Sequence, residues 1–172
     1  PEFGAELFQW LSPLIKTLPL EQQRLAHAAC LLNDVNWRAH PDFRATACFA
    51  TVARANLTGL GHMDRLFVGA ALLHRYKGAG EASKEEIAAL DLLDNDVRKA
   101  AQAIGKAIRL GAMLAGSIRG MLAKSELTMS DNELTLTMNP EMAELMGVRV
   151  RQRFESLANA YNRAGRMVEA VS

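Results

Sequence analysis

Leu25-Ala26-His27-Ala28-Ala29-Cys30-Leu31-Leu32-Asn33-Asp34-Val35-Asn36-Trp37-Arg38-Ala39-His40 is the stretch on which the reading of this chain turns. His27 and Asp34 are seven positions apart, two turns of a helix, so the spacing places them on one helical face. A histidine directly before Asp34 would complete a His-Asp pair able to hold a divalent ion. Asn33 stands there instead, and an amide oxygen does not replace an imidazole as a ligand. The segment therefore points to a helical scaffold and away from the metal chemistry such a scaffold can carry.

The pattern on either side is helical as well. Leu7, Phe8, Leu11, Leu14, Ile15 and Leu18 recur at helical spacing, interrupted by Pro13. A second helix is expected from about Glu21 to Asp34, a third from Pro41 to about Asn56, and, after a turn at Thr58–Gly61, a fourth to about Tyr76. Lys77-Gly78-Ala79-Gly80 breaks the pattern. Ser83-Lys84-Glu85-Glu86 forms a capping box for a short helix through Leu93. Asp94 or Asn95 then caps a long helix to about Leu122. In that helix Ala101, Gly105, Ala112, Gly116 and Gly120 fall at multiples of four or close to it. They form either a groove for another helix or an alanine-rich helix that tolerates glycine.

Past Ala123 the period changes to two. Glu126 to Met129 and Glu133 to Met138 alternate about Ser130-Asp131-Asn132, a β-hairpin. A last amphipathic helix is expected from Val148 to about Asn162, buried through Phe154, Leu157, Ala158 and Tyr161, with a possible third strand at Arg166–Val171. The expected fold is mainly α: a helical bundle over 4–123 with a small C-terminal β-hairpin subdomain over 124–172. Pro1-Glu2-Phe3 reads as a remnant of cloning, because a common restriction site encodes Glu-Phe, so the sequence is expected to start inside a longer protein.

At 172 residues, 49% hydrophobic and 23% charged, the chain can bury a substantial core. Its formal charge of +1 does not indicate a nucleic-acid binder, and no apolar run approaches the length of a membrane span. Cys30 and Cys48 lie in apolar helical contexts and are expected to be reduced core thiols of a cytoplasmic protein.

From His27 to Lys77 the chain resembles the C-terminal helical domain of the exopolyphosphatase / guanosine pentaphosphate phosphohydrolase family. The resemblance rests on Leu25–Asp34, on His40-Pro41-Asp42-Phe43-Arg44 before the next helix, and on Leu72-Leu73-His74-Arg75-Tyr76-Lys77 at a helix end. Ala107–Leu114, the hairpin and the final helix follow in the family's order. Departures fall at Asn33, usually histidine or a small polar residue, and at Val35-Asn36, usually Ile-Gly.

The resemblance implies an HD-domain-like fold. It also implies that catalysis and magnesium belong to an N-terminal actin-like domain, so that this chain has no catalytic residue or cofactor of its own. The implied partners are polyphosphate or another phosphate polyanion, the catalytic domain, and a second copy in a homodimer. Neither a membrane nor a specific nucleic acid is implied. His27, Asn33 and Asp34 become degenerate metal positions. Two alternatives stay open: a standalone HD-type metal phosphohydrolase using His27, Asp34 and His74, or a pure oligomerisation module built on the glycine row.

Charge supports the polyanion reading. Between Arg24 and Lys77 there are seven Lys and Arg against three Asp, whereas the segment from Glu81 to Asp96 is acidic. Arg38, His40, Arg44, Arg75 and Lys77 cluster at helix ends and are the expected polyanion-binding set. The competing reading is a set of solvated cations paired with the acidic segment. Arg149 and Arg153, one turn apart on the last helix, read as a solubilising face.

Overall fold

The computed structural model describes residues 2–77, 82–144 and 147–170. Helices α1 (Glu2–Trp10) and α2 (Ser12–Ile15) open the chain, followed by α3 (Leu20–Leu31), α4 (Pro41–Arg54) and α5 (His62–Tyr76). Then come α6 (Lys84–Leu90) and the long α7 (Asn95–Ala115). Strands β1 (Ser125–Met129) and β2 (Glu133–Met138), helices α8 (Pro140–Glu144) and α9 (Val148–Ala160), and strand β3 (Ala164–Glu169) complete it. The protein is mainly helical with a small C-terminal sheet, as its periodicity predicts. The Gly78–Gly80 break lies outside the described residues.

Helix α5 is the axis of the bundle. Every residue from Leu66 to Arg75 is buried, so this helix is enclosed on all sides. It packs on α4, α7 and α3, and its run of Gly69, Ala70 and Ala71 keeps it slim enough to be surrounded. Helix α7 buries Ala101, Ile104, Gly105 and Ile108 toward this core, then packs on α9. The capping box at α6 forms as read: Ser83 Oγ accepts from Glu86 N at 3.2 Å, and Ser83 N donates to Glu86 Oε2 at 2.8 Å.

Two expectations need correction. First, α3 stops at Leu31, and residues 32–38 are turns, so His27 and Asp34 do not share a helix. Second, α7 ends at Ala115 and not near Leu122, because Gly116 caps it in the left-handed region at φ 55°. Gly120, at φ 83°, lies beyond the helix. At Gly105 the row of small residues is filled by a helix of the same chain, whereas a Cβ at Gly116 or Gly120 would meet nothing within 4 Å. Gly105 faces Ala71 and His74 of α5 in the same chain, which packs against it closely.

The hairpin pairs Ser125 with Met138 through to Met129 with Leu134. Strand β3 joins it parallel to β2, giving the order β1-β2-β3. The chain reaches β3 by crossing over through α8 and α9, which places the first turn of α9 back near the bundle.

Candidate functional site

Asn33 is an organising residue of the bundle's surface. Its side chain is buried, donates from Nδ2 to the Cys30 carbonyl at 2.7 Å and accepts at Oδ1 from Arg75 at 3.2 Å. Its own carbonyl accepts from the Tyr76 hydroxyl at 2.9 Å. The turn after α3 is thereby fastened to the end of α5, and Asn33 fixes where Arg75 and Tyr76 point. Beside it, Asp34 Oδ1 accepts from the same Arg75 amine nitrogen at 2.7 Å. Arg75 is 8% exposed, and its Nε is buried without a hydrogen-bond partner among the described residues.

The guanidinium carbons of Arg75 and Arg44 lie 4.4 and 5.7 Å from the centre of the Tyr76 ring. Each cation is thus held against a π-face that attracts it. Arg44 is also tied to the Ala39 carbonyl by Nε at 3.2 Å and NH2 at 3.0 Å. Burial is the main influence on the Tyr76 hydroxyl and pushes its pKa up to about 12, so it remains a donor near neutrality.

Asp34, Arg44, Arg75 and Tyr76 form one wall of a cavity of about 750 Å³. The other walls are Arg109, Ala112 and Met113 of α7, Gly116 and Ser117 just past its end, and Arg149, Gln152 and Arg153 of α9. Five arginines from four helices line it, with Asp34 as the one carboxylate among the described lining residues. The left-handed cap at Gly116 turns the chain away at the rim. The crossover to β3 brings in Arg149 and Arg153.

The polyanion set expected from sequence divides here. Arg44 and Arg75 converge on the cavity. Arg38 is exposed and lies over Trp37, its guanidinium carbon 5.0 Å from the ring centre. His40 caps α4, its Nδ1 accepting from Asp42 N at 3.3 Å, and it does not line the cavity. Lys77 is engaged elsewhere, with Nζ 3.0 Å from Thr46 Oγ1 and 3.3 Å from the buried Glu86 Oε2. Arg109 was missed. Arg149 and Arg153, read from sequence as a solubilising face, line the cavity.

His27 is exposed on α3, its ring 4.3 Å from that of Phe8. His74 is buried between α5 and α7. No group of three or more His, Cys, Asp or Glu that could hold a metal occurs among the described residues.

Burial, with the positive charges of Lys106 and Arg98 adding to it, pushes His74 down to about 4. The imidazole is neutral in the folded protein at neutral pH. In the unfolded chain it takes a proton near pH 6.5, so stability is lost as pH falls from about 6.5 to about 4. The loss is expected to reach about 3 kcal/mol. Urea unfolding at pH 7 and pH 4.5 should show it, with a smaller drop in a His74→Met variant.

The family described as exopolyphosphatase, C-terminal, matches residues 5–171, nearly the whole length. The chain belongs to that family. None of the curated proteins matches it. As an exopolyphosphatase C-terminal domain it has an arginine-lined cavity between the bundle and α9. Its two cysteines, Cys30 and Cys48, are free and buried. No helix among the described residues is long and apolar enough to cross a membrane.

Proposed function

We propose that this domain binds inorganic polyphosphate, or a phosphate polyanion like it, in the cavity between α5, α7 and α9. The observation that carries the reading is the convergence of Arg44, Arg75, Arg109, Arg149 and Arg153 on one concave surface opposed by a single lining carboxylate. Like charges gathered this way repel one another and weaken the fold. A polyanion that pairs with them offsets that cost. The choice of arginine over lysine fits a phosphate chain, because the planar guanidinium donates two parallel bonds to phosphate oxygens. Such pairing reads charge and not sequence, as expected for a repetitive polymer.

The donor set does not fit a divalent cation, since one carboxylate among five guanidinium groups supplies too few oxygen ligands. Magnesium enters this reading only through the family resemblance, which assigns it to an actin-like catalytic part. In the intact enzyme that part releases terminal phosphate from polyphosphate, or the 5′-phosphate from guanosine pentaphosphate, while this domain holds the chain. Homodimer assembly and a cytoplasmic location belong to the same reading, the latter supported by the two free thiols.

Titration with tripolyphosphate, followed by NMR of the arginine side chains, tests the binding role. Saturable binding with shifts at Arg44, Arg109, Arg149 and Arg153 supports it. Shifts confined to other arginines, or none, refute it.

A further inference from the structure

The position of Asp34 conflicts with a cavity built only to attract anions. It contributes the one carboxylate among the described lining residues, and its salt bridge is to Arg75, itself a lining residue of the cavity. Its Oδ1 lies 2.7 Å from the Arg75 NH2, the distance at which a phosphate oxygen would sit, and its side chain is 40% exposed. Arg75 is used incompletely in this arrangement. The same NH2 serves both Asn33 and Asp34, while Nε is buried without a hydrogen-bond partner among the described residues. A guanidinium held at one nitrogen, with another donor left over, is one that a bidentate oxyanion engages better than Asp34 does.

We propose that Asp34 is a built-in counter-anion: its carboxylate occupies Arg75 in place of a phosphate and is displaced from it when a phosphate chain binds. This inference rests on the polyanion reading of the cavity and specifies how that site is regulated. Asn33 makes the exchange possible. Its amide, anchored to the Cys30 carbonyl, keeps Arg75 in place by a neutral hydrogen bond when Asp34 lets go. The device discriminates among ligands. A lone small anion must compete with Asp34 for Arg75. A chain of phosphates reaches Arg109, Arg149 and Arg153 as well, and those contacts offset the displacement. Asp34 thus raises the number of phosphates a ligand must present before it is held.

The test compares tripolyphosphate binding to the wild-type protein and to Asp34→Asn by calorimetry at low salt. The amide oxygen can still accept from Arg75, but the competing charge is gone. Affinity should rise about tenfold, roughly what one like charge within ~10 Å is worth at an effective dielectric of about 20. Unchanged or weaker binding by Asp34→Asn, with wild-type binding intact, overturns the counter-anion and leaves the polyanion reading standing. It would mean that Asp34 only positions Arg75. Absence of binding by both proteins overturns both readings.

A second measurement, made on the wild type, does not depend on the variant folding. The Arg75 Nε–H signal should shift and exchange more slowly with solvent once tripolyphosphate supplies an acceptor. If the other cavity arginines respond while Arg75 does not, the inference fails.

Discussion

Replacing Arg149 and Arg153 together by glutamate is expected to lower tripolyphosphate affinity at least a hundredfold. Both side chains line the cavity from α9, and neither belongs to the buried stripe of Phe154, Leu157 and Ala158 that attaches this helix to the fold. Each reversal removes a charge-assisted hydrogen bond of about 1.5–3 kcal/mol and substitutes a repulsion. Two such losses give about 3–6 kcal/mol, which is at least about a hundredfold in affinity. The fold should survive, because glutamate is a good helix former and a negative charge near the start of α9 suits the helix dipole. Circular dichroism and the unfolding midpoint should be close to wild type. Binding unaffected in a folded double variant would place the polyanion site elsewhere.

The second large effect concerns the bundle itself. Gly105→Ala is expected to cost about 3 kcal/mol, near the upper end for overpacked cores. A Cβ at Gly105 would fall 2.3 Å from the Ala71 carbonyl oxygen and 2.7 Å from His74 Cβ. The first of these is backbone of the central helix and cannot turn aside as a side-chain tip would. Relief requires α5 and α7 to separate, which opens the core along Ile104, Ile108 and Leu72. The gain in intrinsic helix propensity from Gly to Ala, about 1 kcal/mol, runs the other way and is outweighed. Since a domain of this kind is stable by only about 5–15 kcal/mol, the urea midpoint should fall markedly. A midpoint at or above wild type would show that the helices have room to spare.

Local chemistry was legible in the sequence wherever one segment carries it alone. Ser83 and Glu86 cap α6 because the residues that bond are three apart. The hairpin could be read from alternation about Ser130–Asn132. The helical class followed from stripes such as Leu7, Leu11 and Leu14. Gly105 was correctly singled out as a packing glycine, but its partner was taken to be open, whereas α5 of the same chain fills the groove. Gly116 was misread because a glycine at helical spacing resembles one that ends the helix. The left-handed φ that distinguishes the two is fixed only when Ser117 N closes back on the Ala112 carbonyl at 3.2 Å.

The candidate site was half legible. Arg44 and Arg75 were found because they stand near one another at helix ends within one basic segment. Arg109, Arg149 and Arg153 come from far along the chain, and only the packing of α7 on α5 and the crossover to β3 bring them alongside. A single sequence offers no signal for that convergence. Lys77 had the right charge and the right neighbourhood, but Glu86 takes it. Asn33, which reads in sequence as the loss of a metal ligand, is in the fold the residue that holds Arg75 and Tyr76 to the turn after α3.

The central claim, that the arginine-lined cavity holds a phosphate polyanion, is tested most directly by the salt dependence of polyphosphate binding to the wild-type protein. The slope of log affinity against log salt should be steep, about −0.7 for each phosphate engaged and so about −3 for four or five contacts. In Arg149→Glu with Arg153→Glu the slope should flatten by more than one. Affinity that does not change with salt, or the same slope in both proteins, would contradict the account.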